Sequence, residues 1–167
     1  MNLDDIAAGT TVFLDANIFI YAEQQKSAQA IRLLRRGAIG QVQGMVSTIT
    51  LAEVCHRLMV LEAQARKLVG SGNPARSLAG KPDRVRQLTD YATKTLALCN
   101  SGLDIKPILP TDVVLSLALQ QRWGLLTNDS LNLAVCQRFG IHDIATADTN
   151  FDAVSGLRVF HPTDLIV

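Results

Sequence analysis

Short apolar runs alternate with longer stretches of helical spacing along the whole chain. Thr11 to Leu14 (TVFL) is apolar and rich in β-formers and predicts a strand. Asn17 to Tyr21 opens a helical stretch, and Ala28 to Arg36 continues it until Gly37 stops it. Gln41 to Val46 predicts a second strand. Ser47, Thr48 and Thr50 are then candidate N-caps for a long helix reaching about Leu68. Its apolar positions Leu51, Val54, Cys55, Leu58 and Leu61 follow helical spacing. Gly70 to Pro82 (GSGNPARSLAGKP) reads as a linker, because its glycines and prolines break a helix.

Helix resumes over Arg84 to Leu98, and Asp104 to Leu109 predicts a third strand. Thr111 to Trp123 predicts another helix, followed by the apolar stub Leu125 to Thr127 and a helix over Asn128 to Phe139 with Asn128 as its candidate cap. Asp143 to Thr146 and Leu157 to Phe160 predict the last two strands. Strands separated by helices imply a parallel sheet with helices on both faces. The 167 residues suit one domain, 1–167, large enough to bury a core without a metal or disulfide staple.

Composition adds little to the fold but excludes several classes. Hydrophobic residues make up 48% and charged residues 19%, which is a folded rather than a disordered composition. Met1 to Gly9 holds Asp4 and Asp5 and no Lys or Arg, so it lacks the basic start of an export signal. No apolar run approaches the ~18 residues of a membrane helix. Cys55, Cys99 and Cys136 are odd in number and widely spaced, which argues against a disulfide framework or zinc site. Each is expected to be a small buried hydrophobe, and the expected compartment is the cytosol.

A net charge of +1 excludes polyanion binding by bulk charge. The charge is uneven, however. From Arg57 to Lys94, eight Lys and Arg (57, 66, 67, 76, 81, 84, 86 and 94) stand against Glu62, Asp83 and Asp90, a local +5 that leaves −4 elsewhere. That segment is either a set of solvated helix faces or a surface for a polyanion.

Four acids fall where elements meet: Asp15 after the first strand, Glu53 near the start of the long helix, Asp129 in the first turn of a later helix, and Asp148 after the fourth strand. Parallel sheets bind ligands beyond the carboxyl ends of their strands. Right-handed connections would bring all four acids to that rim. Clustered carboxylates raise each other's pKa unless a cation relieves them. Mg²⁺ does so with a few carboxylates and water, and supports phosphodiester hydrolysis. Each acid also has a plainer reading. Glu53 and Arg57 are spaced as a surface i,i+4 pair, Asp129 suits the helix dipole, and Asp148 suits a turn. Asp15 interrupts an apolar run and resists any such explanation.

At these residues the chain resembles the PIN-domain nucleases, and within them the VapC-type toxin ribonucleases. VFLDANIFIY with Asp15 and Asn17 is similar to the first family motif, and STITLAEV with Glu53 to the second. LLTNDSLNLAV with Asp129 is similar to the third, and IATADTNFDAVSGLRVF with Asp148 to the fourth. The resemblance implies a three-layer α/β/α sandwich with a central parallel sheet and a helical insertion in the middle. It implies Asp15 and Asp129 as principal ligands of one or two Mg²⁺ or Mn²⁺ ions. Glu53 and Asp148 would complete the shell or orient water, and Asn17, Thr127 and Asp152 would be polar support. The expected reaction is endonucleolytic RNA hydrolysis leaving a 5′-phosphate and a 3′-hydroxyl. The expected partners are a small antitoxin whose C-terminal segment covers the acids, and a second copy docked through the helices around Leu51 to Leu98.

The segment from about 66 to 86 is longer than a minimal toxin of this type needs. It is expected to be a basic arm, with Arg76, Lys81, Arg84 and Arg86 as candidate RNA contacts, or a changed docking surface.

Other motifs carry less. Gly70 to Ala75 fits G-x-G-x-x-A but follows a helix and contains Pro74. Ala79 to Pro82 lacks the Ser or Thr of a P-loop. Glu53 and His56 form a single E-x-x-H where a di-iron bundle needs two. Trp123 and Phe139 are expected in the core. A haloacid-dehalogenase-type phosphohydrolase also places Asp after its first strand, but it needs a second Asp where this chain has Asn17. The motifs also admit a stand-alone PIN nuclease of RNA processing and a silent RNA- or partner-binding PIN scaffold.

Overall fold

The computed structural model describes residues 1–70 and 72–166. Its sheet is built from β1 (Thr11–Leu14), β2 (Gln43–Ser47), β3 (Asp104–Lys106), β4 (Asp143–Ala145) and β5 (Arg158–Phe160). The order is β3-β2-β1-β4-β5, with every pairing parallel. The chain first winds outward from β1 to β3 and then restarts on the other side of β1. The strand order therefore reverses between β1 and β4, which makes a crevice at their carboxyl ends.

Eight α-helices are described: α1 (Ala16–Glu23), α2 (Ala28–Ala38), α3 (Thr48–Ala65), α4 (Pro74–Ala79), α5 (Pro82–Val85), α6 (Asp90–Cys99), α7 (Pro110–Trp123) and α8 (Thr127–Arg138). Successive side chains of a strand point to opposite faces, and the core divides accordingly. Val12, Leu14 and Val46 pack with α1, α2 and α3, whereas Phe13, Met45 and Ile144 pack with α7 and α8. The result is the three-layer α/β/α sandwich. At Gly44 a Cβ would lie 2.8 Å from Leu103 Cδ2 and 2.9 Å from Leu14 Cδ1, so any larger residue there would have to push these two leucine side chains aside.

The middle of the chain departs from the expected linker. Pro74 and Pro82 stand in the first turns of α4 and α5 and start helices instead of breaking them. The helix expected from Arg84 is split into α5 and α6. Leu78 and Leu88 are buried against Ala63 and the half-buried Met59, Leu68 and Tyr91, forming a small core of their own on α3. Glu62 anchors this insert. Its carboxylate accepts from the backbone N–H groups of Thr89 and Tyr91, both at 3.0 Å. The G-x-G-x-x-A stretch includes Ser71, which lies outside the described residues.

Other expectations change locally. Asn128 does not cap α8; Leu126 occupies that position and Asn128 is the second helical residue. Leu125 is buried and Leu126 is 73% exposed, and the stub is no strand: it is irregular chain that enters through Gly124 in the left-handed conformation (φ +70°) and runs into α8 at Thr127. Cys136 is buried, but Cys55 is half-buried and Cys99 exposed. Phe139 is exposed, with Lys106 and Arg138 at 4.5 and 4.6 Å from its ring centre. No described helix is long and apolar enough to cross a membrane.

Candidate active site

Asp15 is held where β1 ends and α1 begins, as the N-cap of α1. Its Oδ1 accepts from Ala16 N at 2.7 Å. Its Oδ2 accepts from Thr146 Oγ1 at 2.6 Å and from the Asn17 amide. The residue is 8% exposed. Burial pushes its pKa above the ordinary carboxylate value, and the Glu53 and Asp148 charges push the same way; the bonds from Thr146 and Ala16 oppose them.

Thr146, the residue after β4, is the element that sequence reasoning missed. Its hydroxyl donates to Asp15 and accepts from Asn17 Nδ2 at 3.1 Å and Asp148 N at 3.0 Å, which uses its full hydrogen-bonding capacity. Asn17 Oδ1 accepts from Ala147 N at 3.0 Å. Asn17 and Thr146 thus clamp the ends of β1 and β4 together around one carboxylate. A buried Thr directly after a strand gave no signal in the sequence.

Asp129 enters from the other layer, in the first turn of α8. It is half-buried, and burial, followed by the charges of Asp15, Asp148 and Glu53, pushes its pKa up to about 6. The charges of the other three predicted acids therefore all reach Asp129. Glu53 Oε2 accepts from Asn128 Nδ2 at 3.3 Å, and Glu53 Oε1 lies 3.8 Å from Arg57 Nη1, the expected i,i+4 pair. Asp148 Oδ1 accepts from Asn150 N at 2.8 Å and caps the 3₁₀ turn Thr149–Ala153, as its turn reading anticipated. A recess of about 420 Å³ is lined by Glu53, Leu126, Thr127, Asn128 and Asp129, while Asp15 and Asp148 do not line it.

Helices α3 and α8 are locked behind these acids by a second missed residue. Asn132 Oδ1 accepts from Ser47 Oγ at 2.6 Å and from Thr50 Oγ1 at 3.0 Å, all three buried. A satisfied buried network of this kind fixes geometry, here that of the two helices carrying Glu53 and Asp129.

Among the described residues, no three Asp, Glu, His or Cys side chains already converge on one point as the ligands of an ion do. The donor set nonetheless suits a hard divalent cation. It is all oxygen, it holds unneutralised negative charge, and Asp129 makes no side-chain hydrogen bond among the described residues.

The remaining predicted residues separate. Thr127 is exposed at the recess. Asp152 is exposed and faces His161 Nε2 at 2.8 Å, while His161 Nδ1 lies 2.8 Å from the Thr146 carbonyl oxygen. Arg84 donates to the Leu68 carbonyl, Arg86 to Asp83 Oδ1 at 2.6 Å, and Lys81 to Ser77 Oγ at 3.1 Å. Of the four basic candidates, only Arg76 is exposed without a side-chain partner among the described residues.

A family model described as PIN domain matches residues 12–157, a span that contains all four acids. Several solved structures are similar in fold. A toxin–antitoxin complex from Klebsiella pneumoniae is 21% identical with a TM-score of 0.56, covering 92% of this chain and 99% of that one. VapBC2 from Rickettsia felis, bound to a DNA fragment from their promoter, is 16% identical with a TM-score of 0.55, covering 90% and 98%. FitAcB from Neisseria gonorrhoeae is 21% identical with a TM-score of 0.54, covering 92% and 99%. No curated protein matches significantly.

Proposed function

We propose that this chain, which belongs to the PIN domain family, is a metal-dependent endoribonuclease and the toxin of a type II toxin–antitoxin pair. One observation carries the reading. The charges of Asp15, Asp148 and Glu53 all reach Asp129 and add to burial in pushing its pKa up to about 6. A protein gains nothing in stability from such repulsion, so the arrangement is explained by a cation that relieves it.

Asp15 and Asp129 would hold Mg²⁺ or Mn²⁺, one or two ions, with Glu53 and Asp148 completing the shell. The bound ion would supply Lewis-acid stabilisation of the phosphate and a more acidic water. The chain's own residues do the positioning. Thr146 and Asn17 keep Asp15 oriented, and Asn132 keeps α3 and α8 in register. Thr127 and Asn128 line the recess through which a strand would approach.

Asn17 occupies the position where a haloacid-dehalogenase-type enzyme needs an acid, and it is engaged with Asp15, Thr146 and Ala147. That supports the nuclease over the phosphohydrolase.

The antitoxin and the second copy belong to the same proposal. The fold shared with complexes of toxins and antitoxins supports an antitoxin partner. An apolar cleft of about 450 Å³ between α2 and α6, with Ile31, Leu34, Val54, Leu58 and Leu98 in its walls, suits an amphipathic helix. The second copy is better placed on α7 than on the helices from Leu51 to Leu98. Val113, Val114, Leu115 and Leu117 are all exposed on α7, whereas Leu96 is the one exposed large apolar side chain described on the other helices. An uncharged apolar face complements itself across a two-fold axis.

The deciding experiment incubates the purified chain with single-stranded RNA in Mn²⁺. Cleavage that disappears in EDTA and in Asp15→Asn supports the reading. Equal cleavage by wild type and Asp15→Asn would refute it.

A further inference from the structure

We infer that the cleft between α1, α3 and α4 is a subsite for the RNA strand, taking the base and phosphate of an unpaired nucleotide beside the cut; this rests on the ribonuclease reading above. Two helices lead from the acids to the cleft. On α3, Glu53, Arg57, Val60 and Leu61 recur at i, i+4, i+7 and i+8 and share one face. From the Asp15 end, Asn17 and Ile20 on α1 and its C-cap residue Gln24 follow at i, i+3 and i+7. At 1.5 Å per residue, Val60 lies roughly 10 Å from Glu53 along the α3 axis. A strand crossing the acids would meet this cleft next.

The cleft measures about 210 Å³. That is below the ~300–1,000 Å³ of drug-sized sites and suits a single ring system. Ile20, Val60 and Leu61 contribute its apolar walls, and Gln24, His56 and Arg57 its polar ones. Ala75, in the first turn of α4, closes the remaining side, and Arg76 is next in sequence. The inserted segment is therefore what turns an open face of α3 into a concave site.

The polar groups fit one occupant. Gln24 and His56 in the cleft, and Arg76 next to its rim residue Ala75, make no side-chain hydrogen bonds among the described residues and are exposed. Arg57 has only the 3.8 Å approach to Glu53. No acid lines the cleft. A phosphate at the mouth of the cleft would pair with Arg57 and lie within the field of Arg76, an apolar wall takes a base face, and the Gln24 amide can pair with a base edge in the way amides read bases.

The test measures binding of a fluorescein-labelled single-stranded RNA of randomised sequence in EDTA, and cut positions in the same RNA pool in Mn²⁺. Gln24→Ala and Arg76→Ala should each weaken binding by about three- to tenfold, the scale of one hydrogen bond or ion pair. Arg57→Ala with Arg76→Ala should also flatten the salt dependence by about 0.7 for each phosphate that is no longer neutralised. Gln24→Ala should change the base preference at one position flanking the cut. Ala75→Trp, which fills the cleft, should change the same preference. Wild-type affinity, salt slope and cut profile in Gln24→Ala and Arg76→Ala would overturn the subsite while leaving the nuclease intact. Absence of cleavage by the wild type would overturn the nuclease reading and the subsite with it.

Discussion

Thr146 Oγ1 donates to Asp15 Oδ2 at 2.6 Å, and this bond ties the end of β4 to the carboxylate at the end of β1. It lowers the pKa of an acid that burial raises. Thr146→Val keeps the shape and removes the donor. It should cost about 1–3 kcal/mol of stability, because a buried carboxylate loses one of its donors while Asn17 Nδ2 and Asp148 N lose an acceptor. It should also move the acidic limb of the pH–rate profile to higher pH. Chemical denaturation and cleavage rates across pH check both.

Asp129→Asn should abolish cleavage and stabilise the metal-free protein. Asp129 takes up its proton more readily folded than unfolded, with a pKa of about 6 against 3.8. Stability therefore falls as pH rises through that window and stays lower at neutral pH. Discounted for water screening at a half-buried group, the gain at pH 7 is on the order of 1 kcal/mol. Millimolar Mg²⁺ or Mn²⁺ should raise the melting temperature of wild type and leave that of Asp129→Asn nearly unchanged. Equal shifts in both proteins would show that Asp129 holds no ion.

Glu62 should matter to the insert rather than to catalysis. Burial raises its pKa, but the N–H groups of Tyr91, Thr89 and Asp90, with Arg66, outweigh burial and leave it below the usual value of 4.5. Its contribution is complete above that value and is lost as pH falls through the lowered one. Glu62→Gln should open residues 66–88 to limited proteolysis at pH 7, with the sheet still protected in hydrogen exchange. Uniform loss of protection would contradict this.

Arg76 and Arg84 of the inserted segment should part company. Arg84→Ala removes a bond to the Leu68 carbonyl and should destabilise the segment, with little change in the salt slope of RNA binding. Arg76→Ala should flatten that slope and leave the melting temperature unaltered. Identical behaviour of the two variants would restore the undivided basic arm.

Charge placed on α7 should change the oligomeric state. Val114→Lys with Leu117→Lys puts ammonium groups on the exposed apolar face. A dimer seen by light scattering for wild type should become a monomer with unchanged helicity. A wild type that is already monomeric at high micromolar concentration would leave this face without a second copy.

How far the sequence disclosed these features depended on the physics behind each. β1 was legible because TVFL is a near-continuous apolar run, the mark of a strand buried on both faces. Asp15 stood out because an acid inside such a run has no favourable environment. Asn132 and Thr146 did not stand out, since their importance lies in partners far along the chain, as Thr146 and Asp15 are. The segment around Pro74 and Pro82 was misread because proline both ends and begins helices, and only the packing of Leu78 and Leu88 decides between the two.

That packing has a consequence for how such a protein changes over generations. Leu78 and Leu88 belong to a core that meets the main one through α3 and Tyr91. Mutations in the insert can accumulate there without loosening the sheet that holds Asp15. On the ribonuclease reading, remodelling α4 and α5 would alter which strands are accepted and leave the cutting chemistry as it was.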